Sequence, residues 1–253
     1  MRSFHALFPL AFIVALASCG APSGITVSGK TMPDPSPVVF PGEQRGATVF
    51  VTFIYTFKDE STGEEKVRLI NATGIVVGER KLLTSAALVM TYGEPEKILV
   101  AVPDYEARRH KFVTEAETVA KSNSGLLLLE TPKDLPPPVT ISDDDGPAVD
   151  QAVRTVDVLN GSIPGVSHTG TVSLAVKDDR QFGMLLIDVT ASRSSIGCGV
   201  YGEDGSLVAL VLAPTGQGEE LNWATVMAIS AGDIRAFLDA HGVGYRTAKS
   251  AGK

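Results

Sequence analysis

The sequence predicts an all-β fold of the barrel class, on three observations. Short runs rich in β-branched and aromatic residues follow one another, beginning with Thr48-Val49-Phe50-Val51-Thr52-Phe53-Ile54-Tyr55-Thr56-Phe57. Turn signals such as Glu203-Asp204-Gly205 separate these runs. A single long helical pattern, residues 231–241, stands near the end and is closed by Gly242.

In chain order, residues 1–19 read as a processing signal rather than as part of the fold. Arg2 gives a positive start, and residues 6–15 are apolar but too few to span a bilayer. The stretch ends in Leu16-Ala17-Ser18-Cys19, the pattern of a bacterial lipobox. Small residues there suit a signal peptidase, and the Cys19 thiol is the atom that takes the diacylglycerol. An ordinary secretory signal with a chance cysteine is the competing reading. Gly20 follows, where an aspartate would favour retention in the inner membrane, so the expected location is the outer membrane facing the periplasm. Attachment through Cys19 requires several acyl chains, because one alone holds only marginally.

Residues 20–42 carry Pro22, Pro33, Pro35, Pro37 and Pro41 among Ser, Gly and Thr, the composition of an extended tether. The domain proper is expected over residues 43–242. Its predicted strands are 48–57, 66–70, 74–77, 98–102, 125–130, 153–159, 170–176, 183–189 and 207–213. Residues 243–253 read as a flexible, frayed tail. About 200 residues bury enough apolar surface to fold without disulfides. None is expected inside the chain, since a lipidated Cys19 would leave only Cys198.

The formal charge is −7, from 22 Lys and Arg against 29 Asp and Glu. That balance argues against nucleic acid and against electrostatic binding to anionic lipid. No H-E-x-x-H, C-x-x-C or phosphate-cradling Gly-rich motif is present, so neither metal nor cofactor is expected. Asp143-Asp144-Asp145-Gly146 lacks the alternating ligands and distal Glu of a calcium loop and reads as a solvated acidic turn.

Residues 192–205, Ser-Arg-Ser-Ser-Ile-Gly-Cys-Gly-Val-Tyr-Gly-Glu-Asp-Gly, followed by Leu207-Val208-Ala209-Leu210-Val211, resemble the nucleophile loop and next strand of trypsin-like serine peptidases. Thr73-Gly74-Ile75-Val76-Val77 and Leu83-Thr84-Ser85-Ala86-Ala87-Leu88-Val89 resemble the segment around that family's histidine, most closely in its HtrA-type branch. Ser124-Gly125-Leu126-Leu127-Leu128-Leu129 resembles the segment of its aspartate. Asn160-Gly161, Gly170-Thr171-Val172-Ser173, Asn222-Trp223-Ala224-Thr225-Val226 and Ile234-Arg235-Ala236-Phe237-Leu238 continue the likeness, which covers residues 45–242. It implies a two-barrel trypsin-like (chymotrypsin) fold with a short C-terminal helix.

In this register the histidine slot falls on Ala87 (or Leu88 if the loop shifts by one), the aspartate slot on Gly125 and the serine slot on Ile196. A triad needs a nucleophile, a base to deprotonate it and an acceptor to orient the base, and these three side chains supply none of them. The resemblance therefore implies a lipid-anchored pseudopeptidase that binds a protein or peptide, since clefts of this fold take extended peptides by strand addition. The alternative is an endopeptidase using Cys198 with His168 as base, or Ser194 or Ser195 in a shifted register. An accessory lipoprotein whose role does not involve the cleft is a third reading. Cys198 otherwise reads as a small buried hydrophobe, His168 as a surface turn, His110 as part of a solvated basic edge, and His241 as a cation suited to a helix C-terminus.

Overall fold

Hydrophobic alternation in the first long strand sets the architecture. The computed structural model describes residues 42–104, 107, 109–158, 166–177, 183–191, 193–215 and 223–248. All of them fall within one compact unit, residues 39–253. A short helix, α1 (Gly42–Gly46), leads into β1 (Thr48–Lys58). Val49, Val51, Phe53 and Tyr55 of β1 point inward and are buried, whereas the residues between them are half-buried. Period-two burial of this kind curls a strand around a core.

Five more strands complete the first barrel: β2 (Glu65–Val76), β3 (Lys81–Ser85), β4 (Lys97–Asp104), β5 (Arg109–Lys121) and β6 (Leu126–Glu130). The order β1-β2-β3-β6-β5-β4 closes by pairing β4 with β1. Helix α2 (Ala87–Tyr92) fills the connection after β3. Strand β7 (Thr140–Ser142) leads to the second barrel, made of β8 (Ala152–Asp157), β9 (Val166–Lys177), β10 (Gly183–Ala191), β11 (Gly199–Tyr201), β12 (Leu207–Pro214) and β13 (Trp223–Ser230). Its ring β11-β8-β9-β10-β13-β12 is closed by the β11–β12 pairing. This is the expected all-β, two-barrel fold, and closure leaves neither barrel an open edge.

Helix α3 (Ala231–Ala240) follows, where residues 231–241 are predicted. Its cap is Ser230, whose side chain accepts from the Asp233 N–H at 3.4 Å. His241 sits at the C-terminal cap with Nδ1 2.8 Å from the Phe237 carbonyl and its ring 4.6 Å from the Phe237 ring.

Three sequence expectations need correction. Residues 66–70 and 74–77 form one strand, β2, because the polar step at Asn71 is taken into the ladder: Thr52 Oγ1 on β1 donates to Asn71 Oδ1 at 3.2 Å. His168 lies within β9 opposite Thr155, not in a surface turn. The tail expected to fray from residue 243 instead supplies β14 (Arg246–Ala248), held parallel to β7 by backbone pairing that side-chain pattern does not reveal. The predicted signal, Cys19 and residues 20–41 of the tether lie outside the described residues.

The core has two parts. One runs from the first barrel across to Leu207, Leu210, Ile229, Ile234 and Leu238. The other fills the second barrel and includes Val153, Val172, Ile187, Cys198 and Val200. Leu126, Leu127, Leu128 and Leu129 of β6 are each 0% exposed, so this strand is covered on both faces and reads as a continuous apolar run. Leu128→Ala is expected to lower the unfolding free energy by about 2–5 kcal/mol, through lost transfer energy and the cavity left behind. Urea unfolding followed by circular dichroism checks it.

Candidate functional site

Local hydrogen bonding draws the three slots named from sequence into one region between the barrels. β3 ends at Ser85, whose Oγ donates to the Leu212 carbonyl of β12 at 2.7 Å and accepts from the Ala87 N–H at 3.1 Å. The Ala86 N–H donates to the Gly125 carbonyl at 2.7 Å. On the other side, the Thr73 N–H donates to the Ile196 carbonyl at 2.8 Å, and the Gly197 N–H donates to the Val211 carbonyl at 2.8 Å. Ala87, Gly125 and Ile196 are thus tied to the same few residues of β2, β3 and β12.

Two glycines show how tightly this region closes. Gly197 has φ +83°, and a Cβ there would stand 2.1 Å from the Thr73 carbonyl oxygen and 2.2 Å from Thr84 Oγ1. No side chain fits, and the left-handed backbone independently favours glycine. Gly125 has φ +99°, and a Cβ on it would meet the Leu212 Cδ atoms at 3.2 and 3.3 Å. A side chain at position 125 would therefore crowd Leu212, which would have to give by a few tenths of an ångström. Beside it lies an apolar hollow of about 170 Å³, lined by Ser124, Val176, Gly183, Met184, Leu212 and Ile229 among others.

The remaining slots are equally apolar. Ala87 is half-buried at the start of α2. Ile196 is 9% exposed and packs into the first core. Neither side chain carries an atom that can donate, accept or attack.

The fallback nucleophiles are all buried: Ser194, Ser195 and Cys198 are 2%, 3% and 0% exposed. Ser194 and Ser195 belong to a single 3-10 turn (Arg193–Ser195). The Ser194 carbonyl accepts from Thr73 Oγ1 at 2.6 Å. Ser195 Oγ donates to Asp157 Oδ2 in a short hydrogen bond. Burial, and then the nearby charge of Asp157, push the Cys198 thiol well above its ordinary range. A thiolate is thereby disfavoured where a cysteine nucleophile would need one.

Asp157 is the residue that sequence reading missed. It is 1% exposed, accepts from Ser195, and leaves Oδ1 without a partner among the described residues. Pairing of Gly199 with Val156 sets Cys198 beside it, and the half-buried His168 of β9 lies close enough to act on it electrostatically. No hydrogen bond joins His168 to Cys198 among the described residues. Burial raises the Asp157 carboxyl above the usual aspartate range, against the opposing effects of the Ser195 bond and of His168. The available signal was an acidic residue in phase with the inward-facing Val153 and Thr155 of β8.

The other singled-out groups lie elsewhere. His110 is exposed on β5, stacked 6.4 Å from Phe50. Asp143, Asp144 and Asp145 are exposed, and Arg235 donates to the Asp144 carbonyl at 2.9 Å and to Asp145 Oδ1 at 3.4 Å. Among the described residues, no group of three His, Cys, Asp or Glu could hold a metal ion.

Two closed six-stranded barrels with a C-terminal helix, and a loop gripped between the barrels at Gly197, define the chymotrypsin-like class of fold. Residues 72–210 match the model of the trypsin-like peptidase domain, and the chain belongs to that family. Solved structures agree on the fold. The Rv3671c protease from M. tuberculosis, in its active form, superposes with a TM-score of 0.64 at 16% identity, covering 85% of this chain and 90% of that one. The HtrA-type protease AlgW, as a serine-to-alanine variant with a decapeptide, superposes with a TM-score of 0.64 at 15% identity, covering 79% of this chain. The match spans 66% of that chain, just under two thirds of its length. At these identities the likeness carries the fold alone. Among curated proteins, none matches the chain.

Two outcomes follow from the site. Asp157 holds its proton more tightly folded than unfolded, so its stabilising contribution is complete below the ordinary aspartate range and is lost as pH rises through the raised folded value. Urea midpoints from about pH 4 to pH 8 should show a component of stability that falls with rising pH and that Asp157→Asn removes. Second, iodoacetamide at mildly alkaline pH should leave Cys198 unmodified in the native chain and modify it after unfolding, as read by peptide mass mapping.

Proposed function

We propose that this chain is a non-catalytic member of the trypsin-like peptidase family, anchored in a bacterial envelope through lipidated Cys19, whose cleft binds an extended protein or peptide segment. The observation that carries the reading is Leu212 packed against Gly125. The slot for the triad acid has a backbone conformation that side chains avoid, and a Cβ there would crowd the Leu212 side chain at 3.2 Å. Ala87 and Ile196 leave the base and nucleophile slots without chemistry. Loss of a triad member typically costs about four orders of magnitude in rate.

Peptide binding needs no triad, since main-chain hydrogen bonds give strand addition its affinity. The AlgW neighbour was solved with a decapeptide, which fits this mode of use. The outer membrane, facing the periplasm, is the location the residues after Cys19 favour. The second reading, an endopeptidase using Cys198 with His168, has in its favour only that both lie near Asp157, whose charge works against the thiolate. A thiol at 0% exposure has no access to a scissile bond.

Incubating the purified chain and its Cys198→Ala variant with labelled, unfolded casein checks both readings. Saturable binding by anisotropy with no new fragments is the expected outcome. Fragments that vanish in Cys198→Ala would establish a cysteine peptidase. Neither binding nor cleavage would remove casein-like chains from the proposed ligands.

A further inference from the structure

Strand β2 outruns the barrel it helps to close. β3 pairs with it only at Ile75 and Val76, whereas β1 pairs along it from Glu65 to Ile75 in an unbroken register. Residues 65–72 and their β1 partners therefore stand out as a two-stranded ribbon, and no described strand pairs with its outer edge.

Thr73 fixes which backbone groups point that way. Its N–H donates to the Ile196 carbonyl, away from β1, and its own carbonyl accepts from Thr84 Oγ1. In an antiparallel ladder, alternate residues aim both backbone groups at the same edge. Val67, Leu69 and Asn71 thus present N–H and C=O groups outward, and these groups meet no partner among the described residues.

Side chains leave the edge unguarded as well. Sheet edges are ordinarily blunted by charge, proline, a bulge or a covering segment. Here the side chains on the outer face are Val67 and Leu69, at 64% and 61% exposed, and the ladder to β1 has no bulge. The neighbouring cations are held on the ribbon's other face, Lys66 by Asp59 and Arg68 over the rings of Phe57 and Tyr92.

These features select the occupant. Free amide and carbonyl groups in a row are matched by another extended backbone, which meets them at every second residue. Its side chains beside Val67 and Leu69 must be apolar to bury that surface, and those beside Lys66 and Arg68 must not be basic. A second copy of β2 fits poorly. Val67 opposite Leu69 sets Arg68 against Arg68, and Val67 opposite itself sets Lys66 against Arg68. Leu69 opposite itself carries the copy's Glu65 onto Thr73, whose outward groups are already taken.

We propose that the outer edge of β2, from Val67 to Asn71, is a docking site for an extended segment of another protein in which apolar residues alternate with small hydroxyl residues. The segment adds to the ribbon as a further strand, and its apolar side chains cover Val67 and Leu69. Leu69 lies four positions from Thr73, roughly 13 Å along the strand. The edge is therefore separate from the slots at Ala87, Gly125 and Ile196, and binding there does not depend on the cleft reading.

The test titrates the purified chain with a blocked heptapeptide alternating threonine and valine, by calorimetry. Saturable binding is the expected result. Leu69→Pro removes an outward N–H that the β1 ladder does not use, and proline is tolerated at such edge positions. It should weaken binding at least about ten-fold, and Leu69→Thr, which keeps the N–H, should weaken it less. Thermal unfolding checks that each variant folds. Val67→Pro, nearer the end of the ribbon, carries the test if Leu69→Pro does not fold. Equal losses in Leu69→Pro and Leu69→Thr would reduce the effect to side-chain burial and overturn the strand pairing. Binding that survives proline would overturn the site, as would absence of binding. Self-association abolished by Leu69→Pro would give the edge to a second copy and overturn the proposed occupant. Casein binding, which tests the cleft, is measured separately, so either reading can fail alone.

Discussion

The grip of β2 and β3 on the loop at Gly197 is the constraint on which the rest of the molecule depends. Thr84 Oγ1 donates to the Thr73 carbonyl at 2.7 Å, Thr73 Oγ1 donates to the Ser194 carbonyl at 2.6 Å, and the Thr73 N–H donates to the Ile196 carbonyl. The first of these ties β3 to β2, and the two from Thr73 run from the first barrel into a loop of the second, through groups that are 0% exposed at Thr73 and Thr84. Polar atoms buried that deeply are costly unless paired, so the threonines and the loop carbonyls specify one another. Glycine at position 197 lets the loop come that close, and any Cβ would push it away.

A buried carboxylate beneath that loop pulls in the opposite direction. Asp157 satisfies Ser195 but leaves Oδ1 with nothing to accept from among the described residues, a buried polar atom that a neutral side chain of like shape would spare the fold. What Asp157 does supply is direction. Its bond turns the Ser195 hydroxyl into the second barrel and away from the cleft, while its charge discourages ionisation of Cys198. Ser194, Ser195 and Cys198 are thus held inside the protein.

The two-barrel fold was legible because the strands bury one face at a time, and alternation writes itself into runs such as residues 48–57. Closure of each ring was legible only through the likeness in motif order, since pairings such as β4 with β1 join residues about fifty positions apart. β14 was not legible, because its three residues contribute backbone pairing and almost no burial. The slots at Ala87, Gly125 and Ile196 could be named from sequence, as flanking motifs fix their register. The part played by Leu212 could not, since nothing in a leucine on an apolar strand announces what it lies against. Asp157 did carry a signal, an acid in phase with inward-facing residues. It went unread because no motif marked it.

The division between what the site keeps and what it lacks follows from where the polar atoms are spent. Thr73 and Ser85 hold backbone carbonyls across the barrel interface, at Ser194 and Leu212, and Thr84 holds the Thr73 carbonyl within the first barrel. Replacing any of them would strand a buried acceptor, so they bear on stability directly. A base, an acid and a nucleophile bear no such load: they point into a cleft, and their removal leaves no backbone group unpaired. At position 125 the left-handed backbone favours glycine, and a Cβ there would crowd the Leu212 side chain.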